Sequence, residues 1–222
     1  RVRNLSEIMS RIGVKGGMAL TSSYRVYIQP NTNDTGGLSW YTTWKEDKEW
    51  IEFFCDETQL PNIQAQTGML AGRVLGEGQF QYPHTRIHSD LSMSFMCDAD
   101  MTPMKFFTAW HNYIFFGAAG DETGYGVIYT DSTDPAKVSE LATLGTHKSV
   151  RLSYPDQYTA KIRVVKTELG TTTNTDRASI GFVLQDAYPY SVDTVPLAYG
   201  SSQLTKVTVN FYYKRHDLIF AG

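Results

Sequence analysis

Cysteine is nearly absent from this sequence. The two that occur, Cys55 and Cys97, lie far apart and form no CxxC pair. That excludes a disulfide scaffold and fits a reducing cytoplasm, where both act as small core residues. A basic excess is missing too: 20 Lys and Arg stand against 23 Asp and Glu, for a formal charge of -3. A protein that grips nucleic acid by its phosphates usually carries the opposite balance, so tight DNA binding is disfavoured, although DNA could still slide past such a surface. No apolar run reaches the ~18 to 20 residues of a membrane span. The first residues lack the continuous apolar stretch of a secretory signal, so neither membrane nor secretion is expected.

Aromatic side chains are what the sequence has in quantity. Its 14 Tyr and 11 Phe favour strands over helices. The 222 residues suit one generous β domain, so a single domain over 1–222 is expected. Residues 24–29 alternate Tyr24, Val26 and Ile28 with polar neighbours, as a half-buried strand does. The run Trp50, Ile51, Phe53 and Phe54 predicts a strand over 49–56 buried on both faces. Residues 86–97 hold a period of two long enough to predict one strand: Ile87, Leu91, Met93, Phe95 and Cys97 on one face, His88, Asp90, Ser92 and Ser94 on the other. Further strands are predicted over 158–167, 178–185 and 204–213, with a Thr-rich hairpin loop over 170–176.

Two segments read as helices. Leu5, Ile8, Met9 and Ile12 give a short amphipathic helix stopped by Gly13. Thr102 and Pro103 open the stronger one, over 102–115, whose stripe of Met104, Phe106, Phe107, Trp110, Tyr113 and Ile114 predicts packing against an apolar surface. A third, over 135–144, is signalled only by Asp134-Pro135. Residues 57–71 lose all period and read as an excursion from the core. The fold class that follows is mainly β, a sandwich or barrel flanked by the 102–115 helix.

Catalytic chemistry finds little support. His84 and His88 have HxxxH spacing, but in a strand they sit ~13 Å apart, and no third ligand is evident. Gly76-Glu77-Gly78 and Gly124-Tyr125-Gly126 lack the strand, helix and Lys of a phosphate loop and read as turns. Asp98 and Asp100 precede a helix start, where the dipole favours negative charge. No enzyme, cofactor or metal is expected. Trp40, Tyr41, Trp44 and Trp50 could instead form a stacking platform for sugars, but buried anchors or subunit contacts account for them more simply.

The order of these segments resembles the tail-tube proteins of contractile-tailed bacteriophages. After the 24–29 strand comes Cys55-Asp56-Glu57-Thr58-Gln59-Leu60-Pro61, similar to the family's C-x-x-T-x-L-P run. A Gly-rich hairpin over 72–82 and the strand ending at Asp98 follow, then Phe107 and Trp110 in the family's F-x-x-W pattern. The Asp186-Ala187-Tyr188-Pro189 turn and a closing strand through Tyr213 complete the likeness. Residues 30–48 and 117–150 are longer than a minimal tube subunit needs, and baseplate tube-initiator proteins of the same fold carry such elaborations.

What the resemblance implies is a structural protein of the phage virion, assembled in the host cytoplasm. Its subunits form hexameric rings, which stack head to tail inside a sheath above a baseplate and pass DNA during ejection without holding it. Ring closure would remove exposed sheet edges. Within that frame Gln59, Leu60, Pro61, Gln64, Gln66, Met69 and Leu70 are expected at a subunit or ring interface. His88, Asp90, Ser92, Ser94, Thr208 and Asn210 are expected to face the lumen, since small or acidic groups do not pair with phosphate. Phe106, Phe107 and Trp110 are expected to pack the helix onto the core.

Overall fold

The computed structural model describes residues 5–14, 18–30, 48–70, 78–116, 152–169, 176–195, 197 and 204–220. In chain order the first elements are helix α1 (Leu5–Val14), strand β1 (Tyr24–Pro30), helix α2 (Lys48–Phe53), and strands β2 (Cys55–Thr58) and β3 (Gln64–Leu70). Strands β4 (Phe80–Ile87) and β5 (Leu91–Met96) follow, then helices α3 (Thr102–Phe116) and α4 (Pro155–Tyr158). Strands β6 (Ala160–Leu169), β7 (Asp176–Val192), β8 (Lys206–Tyr212) and β9 (Arg215–Phe220) complete the described chain. The fold is mainly β.

Seven strands form one antiparallel sheet in the order β1-β6-β7-β8-β5-β2, with β9 added alongside β7. The long β7 holds this sheet together by serving two partners in turn. Residues from Asp176 to Ala187 pair with β6, Ile180 to Gln185 also pair with β9, and Tyr188 to Val192 pair with β8. The change of partner falls where Asp186 takes a positive φ of 53°. Asp tolerates that left-handed conformation better than most side chains, and it lets the strand turn a corner without ending. The turn expected at 186–189 is therefore a bend within one strand and no chain reversal.

The sheet curls until its two ends meet through side chains. Tyr24 Oη donates to the Cys55 carbonyl at 3.0 Å, and the Ile28 N–H donates to Glu52 Oε1 at 2.7 Å. Inside the curl, Val26 and Ile28 of β1 meet Ile162 and Val164 of β6, Leu184 of β7, the Leu91, Met93 and Phe95 row of β5, and Val207, Val209 and Phe211 of β8. Cys55 joins this core as a small residue, and burial pushes its thiol up to about 12.

Helix α3 lies on this apolar surface. Phe106, Phe107 and Trp110 are buried, with Phe107 against Phe95 at 4.6 Å and against Phe211 at 5.9 Å between ring centroids. The one polar atom of the indole is satisfied, since Trp110 Nε1 donates to the Tyr158 carbonyl at 2.7 Å. Both helix ends are closed by side chains. Asp98 accepts the Thr102 N–H at 2.7 Å and the Thr102 hydroxyl at 2.6 Å, so the acidic residue before the helix does the capping expected of Thr102. At the other end Ser153 gives its N–H to the Ile114 carbonyl at 2.8 Å and its hydroxyl to the Tyr113 carbonyl at 2.7 Å.

Several expectations are corrected. Residues 49–56 are not one strand: 48–53 are helical, and only the end of the segment enters β2. Ile51 alone of the helix is buried, while Trp50 and Phe53 are 61% and 77% exposed. Residues 86–97 are two elements, because the chain leaves β4 at Ile87 and starts β5 at Leu91. The strand expected over 158–167 starts two residues later, after the short α4, and the one over 178–185 runs on to Val192. The chain does not close at Tyr213, since β9 follows. Helix α1 forms as expected but buries no residue. The expected helix at 135–144 and the loop residues 170–175 lie outside the described residues, as does almost all of 30–48 and 117–150.

Candidate assembly surfaces

Strands β3 and β4 form a two-stranded ribbon apart from the main sheet. Such a pair is marginal in water by itself, because it has no second layer to bury against. Here every residue of β4 is exposed, and in β3 only Gly68 is partly covered. The cover comes from across the ribbon. Tyr82 pairs directly with Gly68, and a Cβ at that glycine would meet the Tyr82 ring at 3.0 Å. The ring lies on bare backbone and stiffens the pair, as aromatic residues do opposite strand glycines. Pro83 fits the ladder because the register slips beside it, between Gln66 and Thr67.

Direct pairs share a face, and faces alternate along each strand. Leu70 with Phe80 and Gly68 with Tyr82 therefore place an apolar, aromatic stripe on one side of the ribbon. Phe80 is 65% exposed, and Leu70 and Met69 nearly as much. Of the residues expected at an interface, Gln64, Gln66, Met69 and Leu70 lie on this ribbon. Gln59 and Leu60 are exposed on its approach, and Pro61 is buried. Phe80 and Tyr82 were not singled out from the sequence. Pairing with residues 64–70 is what reveals them, and no sequence period marks it.

The second surface is the polar face of β5 and β8. Ser92 pairs with Asn210 and Ser94 with Thr208, so these four residues form one contiguous patch. They hydrogen-bond among themselves and to neighbours: Ser94 and Thr208 hydroxyls at 3.0 Å, and Asn210 Nδ2 to Asp193 Oδ1 at 3.3 Å. Lys206 at one edge is paired with Asp56. Asp90 stands at the opposite edge, beyond the start of β5, and accepts the Tyr190 hydroxyl at 2.5 Å. That hydrogen bond, with burial and nearby carboxylates, pushes the Tyr190 phenol up to about 12. Beside the patch Tyr188 and Tyr190 crowd Tyr212 at 6.3 and 4.4 Å. His88 does not share this face. It sits in the link between β4 and β5, against His216 and Tyr213.

Other sequence features separate. His84 is an exposed ribbon residue whose Nδ1 lies 2.7 Å from Thr85 Oγ1. Trp50 stacks on Phe54 at 5.8 Å, whereas Trp40, Tyr41 and Trp44 lie outside the described residues. Of the two glycine-flanked turns, only Gly78 is described, ahead of β4.

A family described as phage tail tube protein matches residues 19–219, which is most of the chain. No curated protein matches it. In structure the chain is similar to one in the sheath-tube complex of an extracellular contractile injection system, PVC, in its extended state. That match has 10% identity, covers 96% of this chain and 97% of the other, and has a TM-score of 0.48. It is also similar to a chain of the anti-feeding prophage baseplate, at 10% identity over 92% and 97% of the two chains, with a TM-score of 0.46. The Hcp1 protein from E. coli EAEC 042 is similar at 7% identity over 89% and 91%, with a TM-score of 0.40.

Proposed function

The chain belongs to the phage tail tube protein family, and on that premise we propose that it is the tube subunit of a contractile tail. Copies associate into closed rings, which we take to be hexameric, and the rings stack into a conduit for DNA. It acts as a scaffold, with no catalytic role. Its partners are further copies of itself, the surrounding sheath and the baseplate, and its place is the virion. The whole of 1–222 serves as one tube domain.

The observation that carries this reading is the β3–β4 ribbon. Strands exposed on both faces and bearing Leu70, Phe80 and Tyr82 on one of them gain most by docking on another subunit. In this reading Gln59, Leu60, Gln64, Gln66, Met69 and Leu70 belong to the contact between subunits or rings. The patch of Ser92, Ser94, Thr208 and Asn210, with Asp90 at its edge, faces the lumen. Among the described residues the cation at its edge, Lys206, is paired with Asp56, and the carboxylate of Asp90 at the other edge repels phosphate weakly.

Negative-stain electron microscopy of the purified full chain at high concentration tests the reading. Rings or tubes of uniform diameter are expected. Deleting Gln64 to Met69 should leave a folded protein that forms neither. Tubes from the deleted chain would refute the role of the ribbon, and a dispersed monomer from the intact chain at all concentrations would refute the function.

A further inference from the structure

We propose that His88, His216 and Tyr213 form an acid-sensitive latch that fastens the root of the β3–β4 ribbon to the main sheet. His88 lies in the short link through which β4 passes into β5, so whatever holds this residue sets the pose of the ribbon. What holds it is the imidazole of His216, on β9, met at 4.9 Å with the two rings nearly perpendicular. Tyr213 closes the group at 5.7 Å from His88 and 5.9 Å from His216, and Phe182 of β7 backs His216 at 5.8 Å.

Four polar atoms in this small space are buried without a hydrogen-bond partner: both ring nitrogens of His216, Nδ1 of His88 and the Tyr213 hydroxyl. His216 is only 4% exposed. Neutral rings tolerate that enclosure at a modest cost. An imidazolium does not, since it brings a charge and two N–H donors that need acceptors.

The charged surroundings act in the same direction. Arg86 of β4 and His88 oppose a positive charge on His216, Asp217 of β9 favours one, Asp90 bears on Tyr213, and β7 presents the uncharged ring of Phe182. Burial first, then the two basic neighbours, hold His216 below the ordinary histidine value. The same Arg86 makes the group a poor seat for a metal cation.

The sign follows from linkage. The closed latch binds a proton less readily than an open one. Its contribution is therefore complete above the unfolded histidine pKa of about 6.5 and is lost as pH falls below it. One proton taken up on opening favours the open form by at most about tenfold per pH unit. The inference concerns the ribbon root alone and stands whether or not the ribbon is a contact between subunits.

Hydrogen exchange of the full chain at pH 7.5 and 5.0, corrected for intrinsic rates, tests it. Amides of 86–90 and 215–217 should lose protection at the lower pH, by up to about thirtyfold for one proton, while β5, β8 and α3 keep theirs. His216→Phe retains an aromatic ring without its proton and should abolish that dependence. His216→Leu serves the same purpose if the first variant does not fold. NMR titration of the imidazoles in the unaltered chain decides the matter without any variant. Titration of His216 in step with the change in exchange supports the latch. Unchanged protection in the unaltered chain, equal acid loosening in a folded variant, or titration of His216 with a rigid root would overturn it.

Discussion

The curled sheet and the ribbon spend the same kind of residues in opposite ways. In the sheet, Phe95, Phe107, Trp110 and Phe211 form a continuous stack of rings from which water is excluded. In the ribbon, Leu70, Phe80 and Tyr82 stand in solvent. One set is already buried within the chain, and the other, in the assembly proposed above, would be buried on another subunit. A substitution in the first should be felt as lost stability, and one in the second as lost association.

The largest test of that contrast is Trp110→Ala. Removing the buried indole should cost roughly 3 to 5 kcal/mol in chemical denaturation. Trp110→Phe keeps a ring in place but strands the Tyr158 carbonyl, for a smaller cost of about 1 to 3 kcal/mol. If Trp110→Ala melts with the unaltered chain, α3 is not what seals the core.

Next comes the start of the same helix. Asp98→Ala should cost about 1 kcal/mol, as loss of a capping acceptor does. The hydrogen bonds from Thr102 hold the Asp98 carboxyl below the ordinary carboxylate value. A depressed carboxylate contributes stability that is present above its unfolded pKa, near pH 4, and lost as pH falls through the folded value. Asp98→Asn should therefore flatten the fall in stability below about pH 4, and an unchanged acid limb would show that the carboxylate contributes nothing there.

The ribbon should respond in the other sense. Phe80→Lys with Leu70→Asp, which places opposite charges across the pair, should change monomer stability by no more than about 0.5 kcal/mol each, yet prevent assembly in light scattering. Large destabilisation of the monomer would erase the contrast. Thr208→Lys should have the smallest effect on folding, again within about 0.5 kcal/mol. In assembled particles it should slow DNA ejection at low salt and recover at high salt. Ejection at the normal rate at low salt would place the patch elsewhere than the lumen.

How far the sequence could be read depended on whether burial was apolar and regular. Leu91, Met93 and Phe95 in β5, Val207, Val209 and Phe211 in β8, and the stripe of α3 were legible because each element buries one uninterrupted face of hydrocarbon. The run at Trp50 misled because a short apolar stretch has no period long enough to separate helix from strand. In helical form it buries Ile51 and leaves Trp50 and Phe53 outside. The link at 88–90 went unseen because its polar and apolar residues continue the alternation of the strands on either side. β9 was missed for the opposite reason: the residue it buries most deeply is a histidine, while Leu218 and Ile219 remain partly or largely exposed. The polar patch was half legible, since Ser92 and Ser94 announce one strand and Thr208 and Asn210 another, but their adjacency is a fact of pairing alone.

The corner at Asp186 carries a mechanical consequence. Because β7 passes unbroken from the β6 and β9 side to the β8 side, tension applied to one part of the sheet reaches the other along covalent bonds. Separating the two parts without cutting the chain means stripping β7 from β6 and β9 on one side or from β8 on the other. The bend is supplied by a single residue's dihedral angle in place of a break in the chain, so the corner costs the sheet no covalent continuity.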